Sequence, residues 1–336
     1  MRYRIFGGLF LAAGSCLVGT QLASGQAVPA VRIAPTAQSV VRTADTAVRG
    51  LKESDFPRLT KLGDNVYVYE ALHPNYKNFS VNSLIVVTTD GVLIADAQQT
   101  PEMVTQMMAT VAKITPQPIK YVVICADHID HVGGDGAFPS SVKFIVHPFS
   151  KATLDRQAGN PNFPKIPTPT EIMTSDKKVL KMGTTEIDVL YLGRAHTGGD
   201  LEVFLPQQNL LFMSEVYFNR LFPSIATGYP SEWVATLKKA EAMKARSYIP
   251  GHGFIDSREI LNEELVKYRG AVERVVSEGT RLHNAGTPID NVFATLNLGE
   301  YGYWTRSYNN GFPAIRRVYL ELDGKLDKEV PLPHAN

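Results

Sequence analysis

The chain has 336 residues, 44% of them hydrophobic and 20% charged, and a formal net charge of +1. This is an ordinary globular composition, with room for one large domain plus an appendage. The near-neutral balance, without long charge runs, removes the electrostatic case for a nucleic-acid partner and excludes a charged interaction tail.

Residues 1–25 read as a secretory signal peptide. Arg2 and Arg4 precede an apolar run from Ile5 to Val18, and Ala23, Ser24 and Gly25 offer a cleavage site. The alternative is an uncleaved anchor, but the run is shorter than the ~20 apolar residues a spanning helix needs, so no stable membrane span is expected. No twin arginine is present, and the residues before Cys16 make a poor lipid-attachment box. After cleavage Cys125 is the single cysteine, so no internal disulfide can form. Its place at the end of an apolar strand favours an inert core thiol over a ligand or nucleophile.

Residues 26–58 have no clean period and read as an N-terminal arm or linker, partly disordered, with a short helix near Ser39 to Val48 as an option. Strands are expected over Val66–Glu70, Val81–Thr88 and Val92–Ala95, with Asp90 and Gly91 making a hairpin turn. The loop from Ala71 to Ser80 carries His73, Tyr76, Lys77, Asn78 and Phe79. It could rim a site, although an ordinary surface loop is the favoured reading. Pro101 opens a helix to Ile114 with Thr100 as N-cap. The strand Tyr121–Ile124 leads into the stretch Cys125–Asp135, and Val142–Val146 follows. His147, which precedes a proline, reads as structural.

Four prolines make 159–170 a crossing loop. Val179–Met182, Thr185–Leu192, Leu201–Leu205 and Leu210–Met213 then read as successive strands. Ser231 is expected to cap a helix from Glu232 to Ala245, and Tyr248–Pro250 is the last short strand. From Ser257 to Asn284 the apolar residues Ile260, Leu261, Leu265, Tyr268, Val272, Val275 and Val276 recur at close to a helical period. Further helices are expected over Pro288–Leu296 and Pro313–Leu322. Tyr301, Tyr303, Trp304 and Tyr308, between them, read as a packing seam.

Only eight histidines are present. Four of them lie in three glycine-flanked turns after apolar strands. His128 and His131, with Asp130, sit in Ala-Asp-His-Ile-Asp-His-Val-Gly-Gly, His196 in Gly-Arg-Ala-His-Thr-Gly-Gly-Asp, and His252 in Pro-Gly-His-Gly. Together they look like one site assembled from distant segments. Imidazole and carboxylate are ligands that suit zinc, and a catalytic zinc keeps one position open.

The three blocks, in this order between Leu59 and Phe254, resemble the metallo-β-lactamase superfamily. The resemblance implies an α/β (α+β) fold: a four-layer αββα sandwich of two mixed β-sheets flanked by helices. Residues 59–256 would form that domain and 257–336 a C-terminal helical extension, with the ligand loops gathered at one edge. Two positions depart from the pattern. Ala126 stands where the first block usually has a histidine, and Glu215 where a bridging Asp is usual. The resemblance assigns Asp130, His131 and His252 to one metal, a complete set, and leaves His128 and His196 for the other. Glu215 could bridge the two, bind one, or only hydrogen-bond to a ligand. The expectation is therefore one firmly bound Zn2+ and a second, conditional site at His128, His196 and Glu215. Asp127 should point away if the loop starts extended.

The implied activity is hydrolysis by a metal-bound hydroxide, since zinc lowers the pKa of its water to about 7. Asp130 would orient that hydroxide and pass a proton to the leaving group. Tyr217 or Asn219 are candidate oxyanion donors, although a structural role is favoured for both. The resemblance spans β-lactams, lactones, thioesters, phosphodiesters and sulfate esters. An exported, periplasmic or secreted location favours a small ester, lactone or β-lactam-type substrate. Two other classes stay open: a degenerate, non-catalytic binding protein, for which Ala126 speaks, and a redox accessory protein with a non-zinc metal. The oligomeric state is left open.

Overall fold

A computed structural model describes residues 29–35 and 40–326. The signal-peptide reading therefore lies outside the described residues. Eight strands form the first sheet in simple sequence order: β1 (Val31–Ile33), β2 (Arg58–Gly63), β3 (Val66–Leu72), β4 (Ser80–Thr88), β5 (Gly91–Ala95), β6 (Ile119–Ile124), β7 (Lys143–Val146) and β8 (Glu171–Ile172). The second sheet has five: β9 (Lys177–Met182), β10 (Thr185–Leu190), β11 (Glu202–Leu205), β12 (Leu210–Phe212) and β13 (Ser247–Ile249), in the order 13-12-11-10-9. Both sheets are mixed. The hairpins are antiparallel, and β5–β8, β1–β2 and β12–β13 pair in parallel.

Period-2 alternation decides which residues meet. In the first sheet Val66, Val68, Leu84, Val86, Leu93, Ala95, Val123 and Cys125 point inward, onto Leu180, Ile187, Val189, Val203, Leu205 and Phe212 of the second. Their neighbours Tyr69, Ile85, Val92, Ile94, Val122 and Ile124 face outward, under Val104, Met107 and Val111 of helix α1 (Pro101–Ile114). The outer face of the second sheet is covered by α4 (Pro230–Ala242), α5 (Arg258–Asn284) and α6 (Ser307–Leu322), through Trp233, Leu265, Tyr268, Val272, Ile315 and Val318. The result is the four-layer sandwich, helix–sheet–sheet–helix. Two smaller helices, α2 (Ile129–Val132) and α3 (Pro148–Gln157), sit at the ends of β6 and β7.

Several local expectations need correction. The arm is packed where it is described. β1 pairs with β2, Ala44 and Thr46 are buried, and residues 40–48 contain no helix. Helix α3, unannounced by any helical period, follows β7 ahead of the crossing loop; His147 caps it, its Nδ1 accepting from the Phe149 N–H at 3.2 Å. Ser231 does not cap α4, which begins at Pro230. Its hydroxyl instead donates to Glu321 of α6 at 2.7 Å, tying the two helices together. The second C-terminal helix shrinks to a 3₁₀ segment, Ile289–Ala294. The third begins six residues earlier than expected, at Ser307, so that Pro313 lies inside it. In the aromatic stretch Trp304 is buried, whereas Tyr303 and Tyr308 are 94% and 84% exposed. Among the described residues no helix is long and apolar enough to cross a membrane.

Candidate metal centre

The three histidine-bearing turns meet at one edge of the sandwich because backbone hydrogen bonds tie them to each other. The Leu201 N–H donates to the Cys125 carbonyl at 2.8 Å, joining the end of β6 to the second sheet. Asn82, near the start of β4, donates from Nδ2 to the carbonyls of Pro250 and Gly253 and from its backbone N–H to Gly251. This clamps the turn that carries His252. Helix α2 lies so close to residues 98–100 that a Cβ on Gly133 would fall 2.1 Å from the Gln99 carbonyl oxygen. Only glycine allows that approach, and the approach aims His131 into the site. Glu215 rides on a 3₁₀ turn, Ser214–Val216, held by Trp233 of α4, whose indole N–H donates to the Val216 carbonyl at 2.9 Å.

The side chains converge in two groups that share Glu215: Asp130, His131, Glu215 and His252 in one, His128, His196 and Glu215 in the other. In the first group, Nε2 of His131 and Nε2 of His252 lie 3.1 Å apart. Glu215 Oε1 stands 3.5 and 3.3 Å from them, and Asp130 Oδ2 3.7 and 3.5 Å. In the second, Glu215 Oε2 lies 2.9 Å from His128 Nδ1 and 3.1 Å from His196 Nε2. The glutamate thus presents one oxygen to each group. All of these residues are buried except His128, which is partly exposed.

Whether this donor set fits a cation follows from the far side of each ring. His252 Nδ1 faces the Ser80 carbonyl at 3.1 Å, an acceptor only, so Nδ1 carries the proton. His131 Nδ1 faces Asp96 Oδ2 at 3.0 Å and donates to it likewise. In the neutral rings both Nε2 atoms therefore present lone pairs to one point, alongside two carboxylate oxygens. Glu215 Oε2 is buried and accepts no well-aligned hydrogen bond despite its short contacts. Four electron-rich atoms facing one another repel unless a cation sits among them, so the residues fit a metal. The electrostatic balance at the buried rings agrees. Burial disfavours an imidazolium, yet Asp96, Asp130 and Glu215 outweigh it and hold His131 well above its usual range. Against the same burial cost, Glu215 and Asp127 push His128 up to about 10. Burial would raise Glu215, but His196 and His128 hold it well below the carboxylate range.

Asp96 and His73 carry more of the site than the sequence disclosed. Asp96 ends β5 in the left-handed region, φ 59°, and its carboxylate accepts from His131, from the Cys125 N–H at 2.9 Å and from the Ser214 hydroxyl. An Asp at the end of an apolar strand was the only signal. His73 sits in the loop read as ordinary surface, but it is buried, and its Nε2 faces Asp130 Oδ2 at 3.8 Å. Its Nδ1 accepts from the Asn75 N–H at 3.2 Å, which places the ring proton on Nε2.

The residues set aside fall elsewhere. The Tyr217 hydroxyl donates to the Leu261 carbonyl at 2.8 Å, and Asn219 Nδ2 donates to the Phe254 carbonyl at 2.7 Å, so neither is aimed at the site. Ala126 is fully buried, and Asp127 joins neither ligand group. Burial, and then Asp96, push the Cys125 thiol far up, which leaves it an inert core group.

Two cavities open onto the centre. A small one of about 160 Å³ is walled by the metal-type ligands together with His73, Tyr76, Phe79 and Arg306. A groove of about 710 Å³ adjoins it at His128 and Asp130, lined by Ile129, Phe149, Phe163, Arg156 and Thr227.

The profile of the metallo-beta-lactamase superfamily matches residues 76–252. A metallo-beta-lactamase type 2 of Bacillus sp. (strain 170) is 22% identical over 209 residues, 60% of this chain and 79% of that protein. A linear primary-alkylsulfatase of Pseudomonas sp. (strain ATCC 19151) is 22% identical over 70% of this chain, which spans 54% of that enzyme's length. The solved structure of the stereoselective inverting sec-alkylsulfatase Pisa1 from Pseudomonas sp. superposes with a TM-score of 0.62 at 17% identity, covering 83% of this chain and 53% of that one.

Proposed function

The chain belongs to the metallo-beta-lactamase superfamily as a metallo-hydrolase, and from that premise we propose an exported enzyme that cleaves a small ester, lactone or β-lactam-type substrate at a two-cation centre. The observation that carries the reading is Glu215, with one carboxylate oxygen in each histidine group. His128, His196 and Glu215 would hold one cation, and Asp130, His131, His252 and Glu215 the other. Imidazole and carboxylate donors point to zinc. Glu215 offers a compensation for Ala126. With a third histidine missing from one group, a carboxylate shared between both supplies the charge that the imidazole does not.

When bound, such cations supply Lewis acidity and acidify a coordinated water. The protein does the rest. Burial would raise Asp130, but His131 leads the neighbours that keep it below the carboxylate range, so it is ionised at neutral pH and able to accept a proton from the nucleophile. Burial lowers His73 to about 4 against the opposing pull of Asp130, so the ring is neutral there. Its Nε2–H points into the small cavity and can donate to an oxygen that gains charge as the bond breaks. The apolar groove accommodates the substrate's body, and burial of the ligands limits competing water.

The test is elemental analysis of the purified, chelator-free protein beside a chromogenic panel of an ester, a lactone and a β-lactam. About two zinc per chain and turnover of at least one panel member are expected, with both lost on chelation and restored by zinc. Metal-free protein that takes up no zinc would overturn the reading.

A further inference from the structure

Arg306 lines the small cavity, and neither the ligand set nor the fold explains it. Its backbone lies in the left-handed region at φ 66°, immediately before α6. Glycine or asparagine would occupy that conformation at lower cost, so the backbone gives no reason for an arginine. The preceding residue is fixed, because the Phe222 N–H donates to the Thr305 carbonyl at 2.9 Å and a β-bridge joins Leu221 to Thr305. The guanidinium rests over the Tyr76 ring at 3.9 Å and near Phe79 at 5.8 Å. Tyr76 in turn packs on His73, ring centroids 4.6 Å apart. This platform holds the cation at the wall of the roughly 160 Å³ cavity that Asp130, Glu215 and His252 also line.

Among the described residues no carboxylate lies within ion-pair distance of Arg306, and its side-chain N–H groups find no protein acceptor. The other arginines packed nearby are different: Arg220 pairs with Glu264, and Arg42 with Glu263 and Glu264. A cation stacked on an aromatic ring keeps the edge of its guanidinium free, and that edge matches an oxyanion in bidentate geometry. Placing it beside a centre built for cations makes sense only if something negative enters between them.

We propose that Arg306 is a specificity-determining residue that binds an oxyanion, a carboxylate or its equivalent, carried by the substrate close to the bond that is cut. The proposal rests on the hydrolase reading and narrows it to acidic substrates. His73 and Tyr76 hold the guanidinium in place, and the apolar groove on the far side of Asp130 takes the uncharged remainder.

The test compares 4-acetoxybenzoate with its methyl ester, the same scissile ester with and without the negative charge, on the zinc-replete protein and on R306Q and R306K. The parent protein should prefer the anion. R306Q should reduce that preference about tenfold or more through KM, and R306K should recover part of it. A preference unchanged in R306Q, or absent in the parent, overturns the proposal. If neither ester is hydrolysed, the choice of bond is wrong, and binding decides. Calorimetry with 4-hydroxybenzoate and methyl 4-hydroxybenzoate should then show tighter binding of the anion, lost in R306Q. Equal affinities in parent and variant would overturn the role of Arg306 independently of catalysis.

Discussion

Three donors end on the Asp96 carboxylate, and one of them, the His131 ring, passes the effect into the site. Asn has one acceptor oxygen and an amide that can only donate, so Asp96→Asn leaves at least one of the three donors unmatched and withdraws the negative charge behind His131. Loss of a comparable outer partner weakens metal binding about 10- to 100-fold. That is the expected drop in zinc affinity, measured by chelator competition, with the far-UV circular dichroism unchanged. Glu215→Gln should act more severely, because its amide keeps one oxygen for one group, leaves the other group without its carboxylate donor, and removes the charge both share. Bound zinc should fall by about one ion and turnover by more than the roughly 100-fold ceiling of an outer-partner change. Zinc must also displace the protons that the carboxylates hold on His131 and His128, so titration at pH 7 should release roughly one to two protons per chain. Calorimetry in buffers of different ionisation enthalpy reads that number, and none released would refute the charge state given for these rings. The ligating residues were legible because each lies just after an apolar strand within a block that, read together with the others, resembles a known pattern. Asp96, His73 and Arg306 were not, since their roles come from contacts with segments far away in the chain.

At the level of strands and helices, Glu70 of β3 shows how the edge of the first sheet is secured. Its buried carboxylate accepts from Arg58 at 2.7 Å, Arg32 at 2.5 Å, the Thr60 hydroxyl at 3.0 Å and the Ile255 N–H at 3.0 Å. It therefore pins β1, β2 and the turn after β13 to one point. Burial alone would raise its pKa, but Arg58 and then Arg32 overcome that and bring it down to about 2. A depressed carboxylate pKa contributes stability that is complete above the unfolded value, near 4.3, and fades as pH falls through the folded one. Glu70→Gln should thus cost on the order of 3 kcal/mol at pH 7, and the gap between variant and parent should close between about pH 4.5 and 2. Urea unfolding across that window checks it; a gap independent of pH would remove the ion pairs from the explanation. The apolar strands β3 to β6 and helix α1, with Thr100 accepting from the Met103 N–H, were readable because propensity, period and cap agree. β2 reads Arg-Leu-Thr-Lys-Leu-Gly, too polar for a strand signal, and α3 buries only Phe149, Ser150 and Leu154, too few to show a helical stripe. Both take their form from neighbours already in place.

At the level of the whole molecule, one hydrophobic core runs across the boundary expected at Asp256. α5 begins two residues after Asp256, and its Leu265, Tyr268 and Val272 share one core with Tyr217 and Phe218 beside the Glu215 turn and with Trp233 of α4. The Trp233 ring lies 5.4 Å from His196, and the Phe218 ring 4.8 Å from His252. The C-terminal helices are therefore the fourth layer of the sandwich, and they are also the backing of the metal-type ligands. Burying an aromatic or large aliphatic side chain contributes about 1.5–3 kcal/mol, and this layer buries many at once against a total stability of about 5–15 kcal/mol. A chain ending at Asp256 would expose the outer face of the second sheet and leave the Glu215 turn without its support. Such a truncation should fail to give a cooperatively unfolding, zinc-binding protein, judged by thermal unfolding and by zinc content after gel filtration. A monodisperse fragment that melts cooperatively and retains zinc would show that residues 257–326 are an appendage after all. The cavity wall supplied by Arg306 would then be a later addition to a site complete without it.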